Sequence, residues 1–276
     1  CDYYYTMGAA FNSNAAKLMK IVDIPISGAC ASGSHAIGLG AMLIRNGLQE
    51  MVVCGGAQEV NPYAVGSFDG ISAFSTRESD PTKASRPFDR DRDGLVPGGG
   101  AATVIIESYE SAVRRGAPIL AEILSYGFSS NGDHISVPNV DGPSRSLQMA
   151  INQAGININE IGYINAHGTS TPLNDKSETT AIKIALGEEA ARKAMISSTK
   201  SMTGHMLGAT GAVELIAATL TLKNGVVPPT IGLNDPDPEC DLDYVPNVAR
   251  KADVTVAISN SLGFGGHNSC VAFRKI

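Results

Sequence analysis

Ile24-Pro25-Ile26-Ser27-Gly28-Ala29-Cys30-Ala31-Ser32-Gly33 carries an apolar extended run into a cysteine flanked by small residues. Directly after it the period changes: Ile37, Ala41 and Ile44 share one face of a 3.6-residue repeat, and Asn46-Gly47 supplies a stop. The stretch therefore predicts a strand, a sharp turn and a helix. Cys30 stands at the start of that helix, where unpaired backbone N–H groups and the positive dipole end favour thiolate, the nucleophilic form. Small neighbours leave room for a carbonyl to approach the sulfur and the amides. The competing reading is a cysteine packed under the helix, because free cysteine is among the most buried residue types.

Around this stretch lie 276 residues, 43% of them hydrophobic, enough to bury a large core in one or two domains. A net charge of −6 with no run of Lys and Arg leaves no electrostatic footprint for nucleic acid. Cys1, Cys30, Cys54, Cys240 and Cys270 show no C-x-x-C spacing, so a reducing, cytoplasmic location is expected. No apolar run approaches the ~18 residues of a membrane span and no signal-peptide layout opens the chain, so no membrane partner is expected. The chain begins at Cys1 rather than Met, which points to a fragment.

Residues 1 to 20 place Tyr3, Phe11, Leu18 and Met19 at helical spacing, a helix leading into the nucleophile strand. Glu50 to Gly56 reads as a buried strand ended by glycines. Residues 61 to 100 are turn-rich, and the alternating charges of Ser85 to Gly94 read as a solvated surface loop, or else as a loop shaping a site mouth. Gly98-Gly99-Gly100 precedes the strand Ala101 to Glu107 instead of joining strand to helix, so it marks close backbone packing and not a phosphate cradle.

A second half opens near Pro118 with a strand over 119–126 and a helix over 144–154 closed by Gly155. Ile161 to Ala166 is a strand that empties into His167-Gly168-Thr169-Ser170-Thr171-Pro172, and the carboxyl end of such a strand is where ligands bind in α/β proteins. A helix over 175–186, a strand over 195–200, the turn Ser201-Met202-Thr203-Gly204-His205 and an Ala/Gly-rich helix over 208–222 follow, stopping at Asn224-Gly225. The plan of residues 26–47 thus recurs over 196–225 as strand, tight turn, small-residue helix and Asn-Gly. Either two related halves face each other across a shared site, or two ordinary αβ units coincide. Strands over 254–259 and 269–273, joined by the glycine-rich turn Asn260 to Asn268 with Phe264 at its tip, close the chain.

A cysteine at a helix start, two histidines on separate strand ends and a nearby lysine with carboxylates suit acyl-thioester chemistry. Cys30 would attack the carbonyl while amides from Cys30 and the Phe264 loop hold the oxyanion, each donor worth about 10²–10³ in rate. Structural zinc asks for local C-x₂₋₄-C or H-x₃₋₅-H pairs, which His167 and His205 lack, so no metal is expected. His35 and His134 read as structural or surface residues, and the local signature of papain-like proteases is absent.

Gly28-Ala29-Cys30-Ala31-Ser32-Gly33, Asn165 to Pro172, Ser198 to His205 and Asn260 to Asn268 together resemble the β-ketoacyl-acyl carrier protein synthases of type I/II, in order and in spacing. The resemblance implies a thiolase-like α/β fold, two related βαβ halves in a layered αβαβα arrangement. Here they would form a single β-ketoacyl synthase domain fragment over 1–276. Residues 1–116 are the remainder of the N-terminal half carrying the nucleophile, lacking roughly the first third of the domain; 117–276 are the C-terminal half carrying both histidines.

The activity it implies is an acyltransferase of fatty acid synthesis that loads an acyl group on Cys30 and condenses it with malonyl carrier protein, releasing carbon dioxide. Ketosynthases of polyketide or aryl-polyene assembly, and a non-catalytic carrier-binding homologue, are the alternatives. By the same resemblance His167 and His205 donate hydrogen bonds to the malonyl thioester carbonyl, and Lys200 pairs with Glu178 and orders the site. Asp175 supports it, Phe264 gates it, and Thr169, Thr171 and Gly265 meet the substrate, the threonines holding the pantetheine arm. No bound cofactor is implied, because the phosphopantetheine arrives on the acyl carrier protein. The expected partners are that carrier and, in the full-length form, a second copy in a homodimer.

Overall fold

The structure, a computed structural model, describes residues 24–276; the helix expected over residues 1 to 20 lies outside them. Residues 24–28 form no strand, but the turn and helix stand where the sequence places them. A 3₁₀ turn over Ala29–Ala31 feeds α1, Ser32–Arg45. Ser32 Oγ accepts from Gly28 N at 3.0 Å and donates to Ala29 O at 2.7 Å, which closes the turn. Asn46 caps α1 and Gly47 turns away at φ +69°.

Strand β1, Met51–Gln58, pairs antiparallel with β2, Gly100–Glu107, with Cys54 opposite Val104. Between them lies a helix that the turn-rich composition conceals: α2, Pro62–Asp69, whose cap Asn61 accepts from the amides of Tyr63 and Ala64. Asn followed by Pro at the first helical position is a start signal that was present in the sequence. After the short α3, Tyr109–Arg114, come β3, Glu122–Ser130, and α4, Asp141–Ala154, closed by Gly155 in the left-handed conformation. The remaining elements are β4, Ile161–Asn165; α5, Pro172–Leu186; α6, Glu188–Lys193; β5, Met195–Ser197; α7, Lys200–Thr203; and α8, Thr210–Asn224. The chain then forms β6, Val226–Val227, β7, Arg250–Lys251, β8, Val256–Gly263, and β9, His267–Arg274.

Five strands form one mixed sheet in the order β3-β9-β8-β4-β5, with β4 parallel to β5 and β8, and β9 antiparallel to β3 and β8. Both faces are buried, which is why its central strands read as continuous apolar runs. On one face Ile164, Ile196 and Ile258 pack with Leu147, Ile151 and Ile182 of α4 and α5; on the other Tyr163, Ala257 and Val271 pack with Ile37, Leu215 and Leu222 of α1 and α8. Each Ile, Leu or Val side chain among them contributes about 1.5–3 kcal/mol on burial. The β1–β2 pair lies on the far side of α1 and α8, so the described residues make four alternating layers of helix and sheet.

The two helices of the repeated plan pack on each other, through small residues. A Cβ added at Gly33 of α1 would sit 2.9 Å from Ala212 N and from Gly208 O, and one at Gly211 of α8 would sit 2.8 Å from Ser34 Cβ. Besides the strand expected before Cys30, two more expectations are corrected. Strands β8 and β9 run into the supposed Asn260–Asn268 turn, leaving Phe264, Gly265 and Gly266 to reverse the chain, the two glycines at φ +82° and +77°. The Ser85–Gly94 stretch is not a solvated loop: Arg86, Phe88, Asp89 and Arg92 are buried, their charges paired internally. No helix among the described residues is long and apolar enough to cross a membrane.

Candidate active site

The turn that carries Cys30 is strained and covered. Ala29 sits at φ +48°, a left-handed conformation that costs a non-glycine residue about 1–2 kcal/mol. Gly263 at the end of β8 presses on this turn: a Cβ there would stand 2.6 Å from Gly28 O and 3.2 Å from Cys30 N. That close approach brings the Phe264 amide to the Cys30 sulfur, beside the amide of Cys30 itself.

Cys30 is buried, and burial pushes its thiol up to about 11, against the Lys200 charge and the two amides, which act the other way. The helix start is thus outweighed by desolvation, and the thiolate expected from the sequence is not the resting form at neutral pH. The amides remain aimed where negative charge would develop on an oxygen bonded to an acylated sulfur's carbon.

His167, at the end of β4, and His205, after α7, meet edge to face with ring centroids 5.4 Å apart at 83°. Burial, reinforced by the Lys200 charge, holds both imidazoles well below their usual range, so both are neutral at pH 7. A neutral ring donates through one nitrogen without placing a cation beside the sulfur. His205 Nδ1 lies 3.0 Å from Thr210 Oγ1. His167 is aimed through its backbone, its N–H donating to Glu178 Oε1 at 2.7 Å while Gly168 N donates to Oε2 at 2.7 Å.

Glu178 also accepts from Asn260 Nδ2 at 2.7 Å, and burial raises its pKa. It is therefore a loop anchor. Lys200 pairs with Glu214 of α8, Nζ to Oε1 at 2.6 Å, and not with Glu178 as the resemblance implied. Burial pushes Glu214 up to about 7 even with Lys200 beside it. The signal for Glu214 in the sequence is that it is the one acidic residue of its helix, Thr210–Asn224.

Thr169 and Thr171 share a hydroxyl contact of 2.9 Å. Asp175, on the first turn of α5, is buried, accepts from Phe88 N at 2.9 Å and faces Arg92 Nε at 3.5 Å. The Phe264 ring stacks on Phe68 of α2 at 5.7 Å, and Phe68 on Phe74 at 5.8 Å. Gly265 is exposed, and its N–H donates to Ile135 O at 2.7 Å. Cys30, His167, His205, Lys200 and the Phe264 backbone thus converge, with Glu178 and Asp175 behind them.

Comparison with known proteins gives this constellation its relatives. The family described as beta-ketoacyl synthase, N-terminal domain, matches residues 20–112, and beta-ketoacyl synthase, C-terminal domain, matches 120–234. The 3-oxoacyl-[acyl-carrier-protein] synthase 2 of Vibrio harveyi is 48% identical over 257 residues, covering 92% of this chain and 62% of that protein. The protein of the same name from Synechocystis is 49% identical over 250 residues, covering 90% and 60%. The chain spans about 60% of the length of these curated relatives. Among solved structures, the ketosynthase of AntDE:AntF, a complex with its type II PKS acyl-carrier protein, superposes with TM-score 0.94 at 37% identity, covering 97% of this chain and 67% of that one. A beta-ketoacyl synthase from Burkholderia phymatum superposes with TM-score 0.91 at 41% identity, covering 96% and 64%. With both domain families matched in order around one buried Cys-His-His-Lys site in thiolase-like layers, the chain belongs to the β-ketoacyl synthase family.

Proposed function

We propose that the chain carries the chemistry of a condensing enzyme of fatty acid synthesis, of the 3-oxoacyl-acyl carrier protein synthase type. The observation that carries this reading is the meeting of Cys30, under the Phe264 amide, with two neutral histidines sharing the field of Lys200. Cys30 sulfur attacks an acyl thioester on the carrier; the S–C bond to sulfur forms, the carrier thiol leaves with the proton, and acyl-Cys30 remains. Malonyl thioester then binds with its carbonyl oxygen on His167 and His205. Loss of carbon dioxide leaves an enolate held by those N–H groups, and its carbon attacks acyl-Cys30 within the amide pair. The thioester to Cys30 breaks, 3-oxoacyl carrier departs, and the Cys30 thiolate takes a proton from water, the one proton consumed per turnover.

A pantetheine thioester presented by acyl carrier protein is the proposed substrate form, with Thr169, Thr171 and Gly265 meeting the arm and no resident cofactor. The carrier complex of the AntDE:AntF ketosynthase supports that partner. A cytoplasmic homodimer is the proposed full-length form. Incubating the chain with decanoyl carrier protein and mapping peptides by mass spectrometry tests the reading: acyl mass on Cys30 is expected, and acylation absent from Cys30 but present elsewhere would refute it.

A further inference from the structure

Residues 85–98 cross from the first half of the chain onto two loops that carry site residues of the second, the one after His167 and the one from Lys200 to His205. Ser85 Oγ donates to Lys200 O at 3.0 Å, Val96 O accepts from His205 N at 2.7 Å, and Gly98 N donates to His205 O at 2.9 Å. Arg86 N donates to Ser170 Oγ and Gly94 N to Ser170 O, both at 3.0 Å. Ser170 needs that hold, since it sits at φ +67°, a conformation that persists in a non-glycine residue only when its surroundings enforce it.

Arg92 makes the densest set of these contacts, with its side chain 1% exposed. Nε donates to Thr171 O at 3.1 Å, Nη2 to Pro172 O at 2.9 Å, and Nη1 to Asp89 O at 2.7 Å and Asp237 Oδ2 at 2.8 Å. Thr171 is the cap of α5, yet its side chain makes no capping bond and its hydroxyl faces Thr169 instead. The loop is thus held from its carbonyl side by the guanidinium, which frees both hydroxyls.

We infer that Arg92 is a positioning residue for the condensation: its planar fork fixes the Thr171 and Pro172 carbonyls so that the Thr169–Thr171 hydroxyl pair faces the incoming thioester arm. This rests on the reading above, that the pair meets a pantetheine thioester, and adds to it the residue that sets the loop. A lysine keeps the charge opposite Asp175 and Asp237 but, as a point cation, cannot span the carbonyls in one geometry.

Two measurements on the full chain test it, with Arg92→Lys and Arg92→Met. In Arg92→Lys, KM for malonyl-pantetheine decarboxylation is expected to rise about tenfold with kcat within about threefold of the parent, while decanoyl transfer to Cys30 keeps its rate only at saturating decanoyl carrier protein. Hydrogen exchange at amides 168–171 is expected to quicken about tenfold in both variants while β8 and β9 keep their protection. Parental KM together with parental loop exchange in Arg92→Lys overturns the inference, as does loss of protection throughout the sheet in both variants, which makes Arg92 a core residue only. If the parent neither acylates Cys30 nor decarboxylates malonyl-pantetheine, the proposed function fails, and the exchange comparison still decides whether Arg92 holds the loop.

Discussion

Lys200 Nζ and Glu214 Oε1 meet at 2.6 Å with both side chains 2% exposed, which makes them a buried ion pair joining the α7 turn to the middle of α8. Removing one partner strands the other charge in a medium that cannot solvate it, at a cost of about 3–5 kcal/mol. Glu214→Leu should lower the urea midpoint accordingly, and Lys200→Met with Glu214→Leu should recover most of the loss. Additive losses in the double-mutant cycle would show that the two groups do not depend on one another.

Iodoacetamide should label Cys30 slowly at neutral pH. With the thiol pushed to about 11 by burial, the thiolate fraction at pH 8 is about 10⁻³, so the labelling rate should climb about tenfold per pH unit up to that value. Lys200→Met removes a cation that favours thiolate, so it should slow labelling at any fixed pH. The check is peptide mass spectrometry of timed reactions between pH 7 and 10; a plateau below pH 8 would contradict the burial argument.

His35, on α1, is hydrogen-bonded through Nδ1 to the Tyr126 hydroxyl, and burial followed by the His267 charge lowers its pKa from 6.5 to about 4. The unfolded chain therefore binds a proton that the folded chain refuses between those values, and stability present above pH 6.5 is lost as pH falls through 4. His35→Gln should lessen the pH slope of the unfolding free energy in this window by about one proton. Denaturant titrations from pH 4 to 7 measure it.

Gly33→Ala should destabilise the protein by about 1–3 kcal/mol, although alanine is the better helix former by about 1 kcal/mol. The added methyl would stand 2.9 Å from Ala212 N and Gly208 O, backbone atoms that move only if α8 and the turn that leads into it move. Thermal melts of Gly33→Ala and of Gly47→Ala, where nothing stands within 4 Å but φ is +69°, separate crowding from backbone strain.

Most of what is local was legible in the chain itself. The turn into α1, the strand that ends at His167, the Ala/Gly-rich helix stopped by Asn224-Gly225 and the Gly-rich reversal at Phe264 rest on period, caps and turn residues, which act over a few positions. Charge balance argued against nucleic acid and the spacing of His and Cys against zinc, while four spaced motifs pointed to the family that comparison then showed.

Contacts between distant segments were decided only by the fold. The partner of Lys200 is Glu214 and not Glu178 because α8 packs against the α7 turn while Glu178 is taken up by three N–H donors. Arg86, Asp89 and Arg92 of the charged stretch Ser85 to Gly94 are buried because they find partners up to 146 residues away, and no alternation of signs distinguishes such a segment from a solvated one. Cys30 shows the division most plainly. Its place at a helix start is a property of the neighbouring sequence, whereas its protonation follows from how much of the second half covers it, and that desolvation outweighs the local field.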